Sequence, residues 1–191
     1  MLAVGLAVGC AKTESSPRPS EPREVRPVAD RPALAQPLPE ETSSLSAEGR
    51  LILDQIQAYG RWPNFVELQR PKFSEAHGGR WVLGFYNGVV GAAMARRLLP
   101  LPDGAQIVLE NRPSTDTNDP AIVTTMSKVS GRWYWMELSN ASPRVDDDGR
   151  PIAGFGEGGT AACAACHAAA SDNDFVFSHE FRRRPPAKKG R

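Results

Sequence analysis

The sequence predicts an α+β fold: a mainly antiparallel β-sheet with flanking helices and a short C-terminal helix. Segments rich in aromatic and β-branched residues recur at 80–86, 105–111, 122–129 and 132–138, a composition suited to a pleated, half-buried surface. Ser130-Gly131 joins the last two across two residues, the spacing of a β-hairpin. The order of elements is helix, strand, helix, three strands, helix, which lacks the regular alternation of a parallel sheet.

The elements follow in order. Residues 1–10 read as the remnant of a lipoprotein-type signal, with Ala7, Val8 and Gly9 placing small residues before Cys10, the lipidation candidate. No Lys or Arg precedes the short apolar stretch, as a start site set too far downstream would produce. Residues 11–45 hold seven prolines between Pro17 and Pro39 among Ser, Glu and Arg. Such a segment lacks the apolar area to offset the entropy of ordering, so a disordered linker is expected. The domain is expected over 46–181. A helix is predicted over 46–59, with Leu51, Ile52, Ile56 and Tyr59 at helical spacing and Ser46 as its cap, broken by Trp62-Pro63.

A strand follows at 80–86, then an Asn87-Gly88 turn and a helix at 89–99. Pro100, Pro102 and Asp103-Gly104 form the next turn before the three later strands. Residues 144–159 read as loop, and Asp146-Asp147-Asp148-Gly149 lacks the alternate spacing of a calcium loop. A short Ala-rich helix is predicted at 160–170. The tail at 182–191 carries six basic residues around Pro185-Pro186 and reads as a solvated end rather than a docking segment.

Whole-chain numbers narrow the function. The 191 residues suit one domain plus appendages, and 23 basic against 22 acidic side chains leave a net charge of +1. That balance gives no nucleic-acid footprint. No apolar run approaches the roughly 20 residues of a spanning helix.

The chemistry-bearing motif is Cys163-Ala-Ala-Cys166-His167. On a helix, positions three and four apart share a face, so both thiols can meet the vinyl groups of one haem while His167 turns to the iron. This is the attachment signature of haem c. A redox dithiol would sit at the strand-to-helix junction of a βαβ unit, and none precedes it. A structural zinc needs four ligands, and only His77 and His179 remain to complete a set. The expected cofactor is therefore covalent haem c with its iron, held by Cys163, Cys166 and His167, with His167 the metal ligand.

The segment Asp172-Asn-Asp-Phe-Val-Phe177 after the motif resembles the cytochrome P-460 family. Trp62, Phe85-Tyr86, Pro102-Asp-Gly104, Met126-Ser-Lys128 and Gly131-Arg-Trp133-Tyr134 match in the same order, so the resemblance covers about residues 50–181. It implies a mono-haem, mostly antiparallel β-fold, commonly a homodimer. The family includes hydroxylamine oxidases and the gas-binding cytochromes c′-beta.

The hydroxylamine-oxidising members carry a haem-crosslinked lysine, and Leu109 stands at that position here. Their distal carboxylate aligns with Thr124, a poor base at neutral pH. The resemblance therefore implies a cytochrome c′-beta-like protein, binding a small diatomic gas such as nitric oxide or passing electrons to a redox partner protein. Hydroxylamine oxidation is the alternative. The catalytic residues stay unassigned.

Phe65, Phe85 and Leu109 are candidates to line the distal face, and Met126, His77 and His179 are candidates to reach the iron. Met126 reads as core, His77 as a turn residue and His179 as solvated. Trp81, Trp133 and Trp135 read as core or haem-packing residues. Export and the Cys10 anchor imply the periplasmic side of a bacterial membrane, or secretion without it.

Overall fold

The structure, a computed structural model, describes Leu34 and residues 42–181. The expectations for Cys10, for most of the 11–45 linker and for the 182–191 tail lie outside the described residues.

Helix α1 spans Ala47–Ile56. Ser46 caps it, its Oγ accepting the Gly49 N–H at 3.1 Å and satisfying one of the unpaired donors of the first turn. The helix stops at Ile56 rather than Tyr59, because Tyr59–Arg61 tightens into a 3₁₀ turn. Trp62 is then extended, as a residue preceding proline prefers.

Strands β1 (Lys72–Ser74), β2 (Arg80–Tyr86), β3 (Gln106–Arg112), β4 (Ile122–Val129), β5 (Arg132–Ser139) and β6 (Ser142–Pro143) lie side by side in chain order, all antiparallel. A seventh, β7 (Ala153–Gly154), also pairs with β5. The fold is α+β, as expected. Strands β2 and β4 have the expected bounds, and β3 lies one residue later than the predicted 105–111. Three short strands, β1, β6 and β7, went unanticipated, and β7 falls within the stretch read as loop.

At the β4–β5 hairpin, Ser130 and Gly131 both take positive φ (49° and 75°). That backbone matches the twist of the flanking strands. Helix α2 spans Gly88–Arg96, shorter than the predicted 89–99, with Arg97 left-handed at its end. Asn87 is a helix cap as well as a turn residue: its Oδ1 accepts from Val90 N–H at 3.2 Å and Gln106 N–H at 3.3 Å.

The sheet has two covered faces. On one, Leu83, Phe85, Val108, Val123, Tyr134, Met136 and Leu138 pack with Ile52, Leu53 and Ile56 of α1. Leu45 is buried in this core, and Leu34 packs against it and donates its N–H to Gln57 O at 3.1 Å. Packing thus reaches N-terminal of the expected start at 46. On the other face, Ile107, Met126, Trp133 and Trp135 pack with Val90 and Ala93 of α2 and with Val176 and Phe181 near the end of the described chain. Each fully buried aliphatic or aromatic side chain contributes about 1.5–3 kcal/mol, so each face carries a sizeable core. No helix among the described residues is long and apolar enough to cross a membrane.

Candidate functional site

Helix α3 spans Ala161–His167, and a 3₁₀ segment, Ala168–Asn173, continues it. The predicted 160–170 helix is therefore α-helical only over the motif. Its docking depends on Gly156, whose φ is +98° and where an added Cβ would lie 2.9 Å from Ala164 Cβ. Cys163 and Ala164 then pack at the edge of the Trp135–Met126 core. Cys163 is half-buried, Cys166 exposed, and both are free thiols. Burial, assisted by the Glu137 carboxylate, pushes the Cys163 thiol above its usual range.

His167 closes the helix and is held from three sides. Its ring stands edge-on to Trp135 (centroids 4.7 Å) and to Phe177 (5.1 Å). Its Nδ1 lies 2.7 Å from the Phe175 carbonyl oxygen. A carbonyl only accepts, so the proton sits on Nδ1. Burial holds the imidazole below its usual pKa, against the opposing pull of that carbonyl. The neutral tautomer therefore presents the Nε2 lone pair to a ligand. This is how metal-binding histidines are prepared, by a carbonyl on the other nitrogen.

What fixes the Phe175 carbonyl is a buried cluster joining pieces scattered in the sequence. Asp174 (φ +51°) and Phe175 (φ +66°) both take left-handed backbone, turning the chain sharply after α3. Asp174 Oδ1 accepts from Lys128 Nζ at 2.6 Å, and Oδ2 from Leu101 N–H at 2.8 Å. Its carbonyl accepts from Trp133 Nε1 at 2.9 Å, while Lys128 Nζ lies 4.8 Å from the centre of the Trp133 ring. Lys128 and Asp174 are both almost fully buried. Sequence reasoning named the segments holding Lys128, Trp133 and Asp174, but not their convergence.

Strand alternation places the remaining candidates. Leu109, Thr124 and Glu137 form one row across β3, β4 and β5, on the face that carries α3. Leu109 and Thr124 are only half-buried. Glu137 pairs with Arg144 at 2.5 Å. Phe85 belongs to the opposite core, so it cannot line the motif's side as expected: its odd-numbered place in β2 turns it to α1. Phe65 is on the motif's side, its ring tilted against Tyr86 and edge-on to Phe181. Met126 is buried in the core, and His179 is exposed. His77 lies in a 3₁₀ turn, Glu75–His77, before Gly78 and Gly79, but it is half-buried. Trp133 and Trp135 are core residues, and Trp81 packs against Phe73.

Among the described residues no three His, Cys, Asp or Glu side chains gather as an all-protein metal cage. The donors fit a group that brings its own equatorial ligands: two thiols one helical turn apart, and a single imidazole with Nε2 presented. Haem c has that requirement. A concavity of about 500 Å³, walled by Ser46, Tyr134, Asp146, Arg150, Phe155 and Glu157, includes none of the motif residues.

No known family model matches this chain, and no curated protein matches it.

Proposed function

We propose that this chain is an exported mono-haem c-type cytochrome that binds a small gas such as nitric oxide or transfers electrons. The observation that carries the reading is the His167 geometry: Nδ1 committed to the Phe175 carbonyl, Nε2 presented, beside two free thiols of one helix. Bound haem supplies a redox-active iron with axial positions for ligands. Cys163 and Cys166 would hold it covalently and His167 would ligate it, while Trp135 and Phe177 fix the angle of that ring. Leu109 offers no nucleophilic nitrogen for a crosslink, and Lys128 on the same face is committed to Asp174. Both favour an ordinary c-type haem. With Cys10 as lipid anchor, the domain would work at the periplasmic side of a bacterial membrane.

The second reading, a haem oxidoreductase acting on hydroxylamine or a related nitrogen compound, draws on Glu137. That carboxylate stands beside Thr124 across the β4–β5 pair. The test is expression with a haem-attachment system, followed by denaturing electrophoresis and haem staining. Wild type should retain haem, Cys163→Ala plus Cys166→Ala should lose it, and a colourless, iron-free wild type would end the reading. A red-shifted ferrous band typical of a modified porphyrin would favour the oxidoreductase.

A further inference from the structure

We propose that Glu67 and Glu180 form a proton-operated latch that closes the C-terminal turn onto the sheet and thereby backs the His167 ring. The latch joins two 3₁₀ turns far apart in sequence, Val66–Leu68 and His179–Phe181. It stands whatever group the motif holds.

The first turn is the fixed side. Phe65 N–H donates to Gly84 O at 3.3 Å, and a Cβ on Gly84 would lie 2.7 Å from Leu68 Cδ1, so the glycine lets this turn sit close against β2. The second turn is held to the first by a reciprocal pair of hydrogen bonds. Glu180 Oε1 accepts from Val66 N–H at 2.5 Å, and Glu67 Oε1 accepts from His179 N–H at 2.9 Å. Each carboxyl thus sits on the backbone of the residue just before the other acid, so the two side chains pass each other and their carboxyls meet. Ser178, buried beneath, accepts from Glu180 N–H at 3.1 Å and hydrogen-bonds the Glu67 carboxylate. Phe181 stands edge-on to Phe65, centroids 6.4 Å apart, and completes the closure.

Two carboxylates brought together repel unless a cation or a proton lies between them. Among the described residues neither pairs with a Lys or Arg. The other titratable groups facing them are His179, which is exposed, and Tyr86 of β2, whose phenol is held above its usual pKa by burial and by the Glu180 charge. Burial and the Glu67 charge push Glu180 above the usual carboxylate range. Burial acts the same way on Glu67, but Ser178 and backbone donors outweigh it and hold that carboxyl below. Glu180 therefore carries the proton and donates it to Glu67. The raised Glu180 stabilises the closed turn below its ordinary value of 4.5, a contribution lost as pH rises through the raised value. The lowered Glu67 contributes above 4.5 and loses this as pH falls through its lowered value. The latch is tightest near the ordinary value and loosens toward neutral pH, where a second charge appears. What it holds is the segment backing His167. That segment carries the Phe175 carbonyl, 2.7 Å from His167 Nδ1, and the Phe177 ring, 5.1 Å from the imidazole. The Lys128–Asp174 pair pins its near end, and the latch pins its far end.

The test is amide hydrogen exchange of the full-length protein between about pH 4.5 and about pH 7.5, corrected for the intrinsic pH dependence of exchange. It is read at Val66 and His179, with β4 as the internal reference. Wild-type protection at these two amides should fall several-fold toward neutral pH while β4 stays constant, as a local opening gives. Glu180→Gln replaces the proton by a permanent donor to Glu67, so protection should stay high across the range. Glu180→Ala should be poorly protected throughout. Rescue by glutamine together with a flattened pH profile is what a merely structural contact would not give. Wild-type protection independent of pH overturns the proposal. So does a Glu180→Gln profile that still falls as wild type does, or Glu180→Ala protection equal to that of wild type at the acid end. Should Glu180→Ala fail to fold, the wild-type and Glu180→Gln profiles decide alone.

Discussion

The hydrogen bond from His167 Nδ1 to the Phe175 carbonyl does two things at once. It fixes the tautomer, and it fixes the ring's rotation. Replacing His167 by alanine should leave covalent haem in place while removing the proximal iron bond. The optical spectrum checks this: an unchanged spectrum would refute the role. Spacing alone picks out Cys163, Cys166 and His167 as the candidate site. The Phe175 carbonyl was not legible there, because a backbone acceptor carries no residue signature.

Elements are joined here by a few buried polar contacts, and these give sharper predictions than the cores do. Lys128 of β4 and Asp174 after α3 form a buried ion pair. Removing one partner strands the other charge, at a cost of about 3–5 kcal/mol. Asp174→Asn keeps the left-handed backbone and an acceptor for Leu101 N–H, so it isolates the charge. Its urea midpoint should fall accordingly, whereas Lys128→Met with Asp174→Asn, which keeps that acceptor and backbone, should recover much of the loss. A near-zero shift in Asp174→Asn would show the pair to be of little weight.

Tyr134 ties β5 to the start of α1, its hydroxyl 3.3 Å from Ser46 Oγ. Burial, then the Glu48 charge, raises its pKa above 10.0, against the Ser46 hydrogen bond. Above pH 10 the unfolded chain therefore releases a proton that the folded chain retains. Stability should fall as pH rises from about 10 toward the raised value. Tyr134→Phe should flatten this part of the pH–stability profile, which denaturant titration at pH 9 to 11 measures.

The larger strands were legible because their aromatic and β-branched runs are seven or eight residues long. Strands β1, β6 and β7 have two or three residues, too few to show any period. The Lys128–Asp174 pair spans 46 positions of sequence, and nothing in either segment names the other.

At the scale of the molecule, the sheet separates two tasks. The α1 face holds a core of side chains with no part in the proposed site, anchored from outside the expected boundary by Leu45. Leu45→Ala should cost about 2–5 kcal/mol, and its thermal unfolding should drop without altering the spectrum of attached haem. Gly156→Ala belongs to the other face. Its added methyl meets Ala164 and its φ of +98° strains any side chain, so it should destabilise by about 1–3 kcal/mol. Unlike Leu45→Ala, it should also disturb the absorption bands, because it displaces α3 itself. The fold class was legible in the order of elements. The division of labour between the faces was not, since it depends on which parity of each strand faces which helix.

The half-burial of Cys163 against the sheet carries a consequence for biosynthesis. Its sulfur cannot approach a vinyl carbon freely once α3 has settled beside Trp135. Under the proposed haem attachment, bond formation there would have to precede that settling or reverse it for a moment, so ligation and folding would compete. A sequence that settles too quickly would trap itself colourless, and a weakly held α3, tightened only after the porphyrin arrives, is the arrangement that lets maturation win.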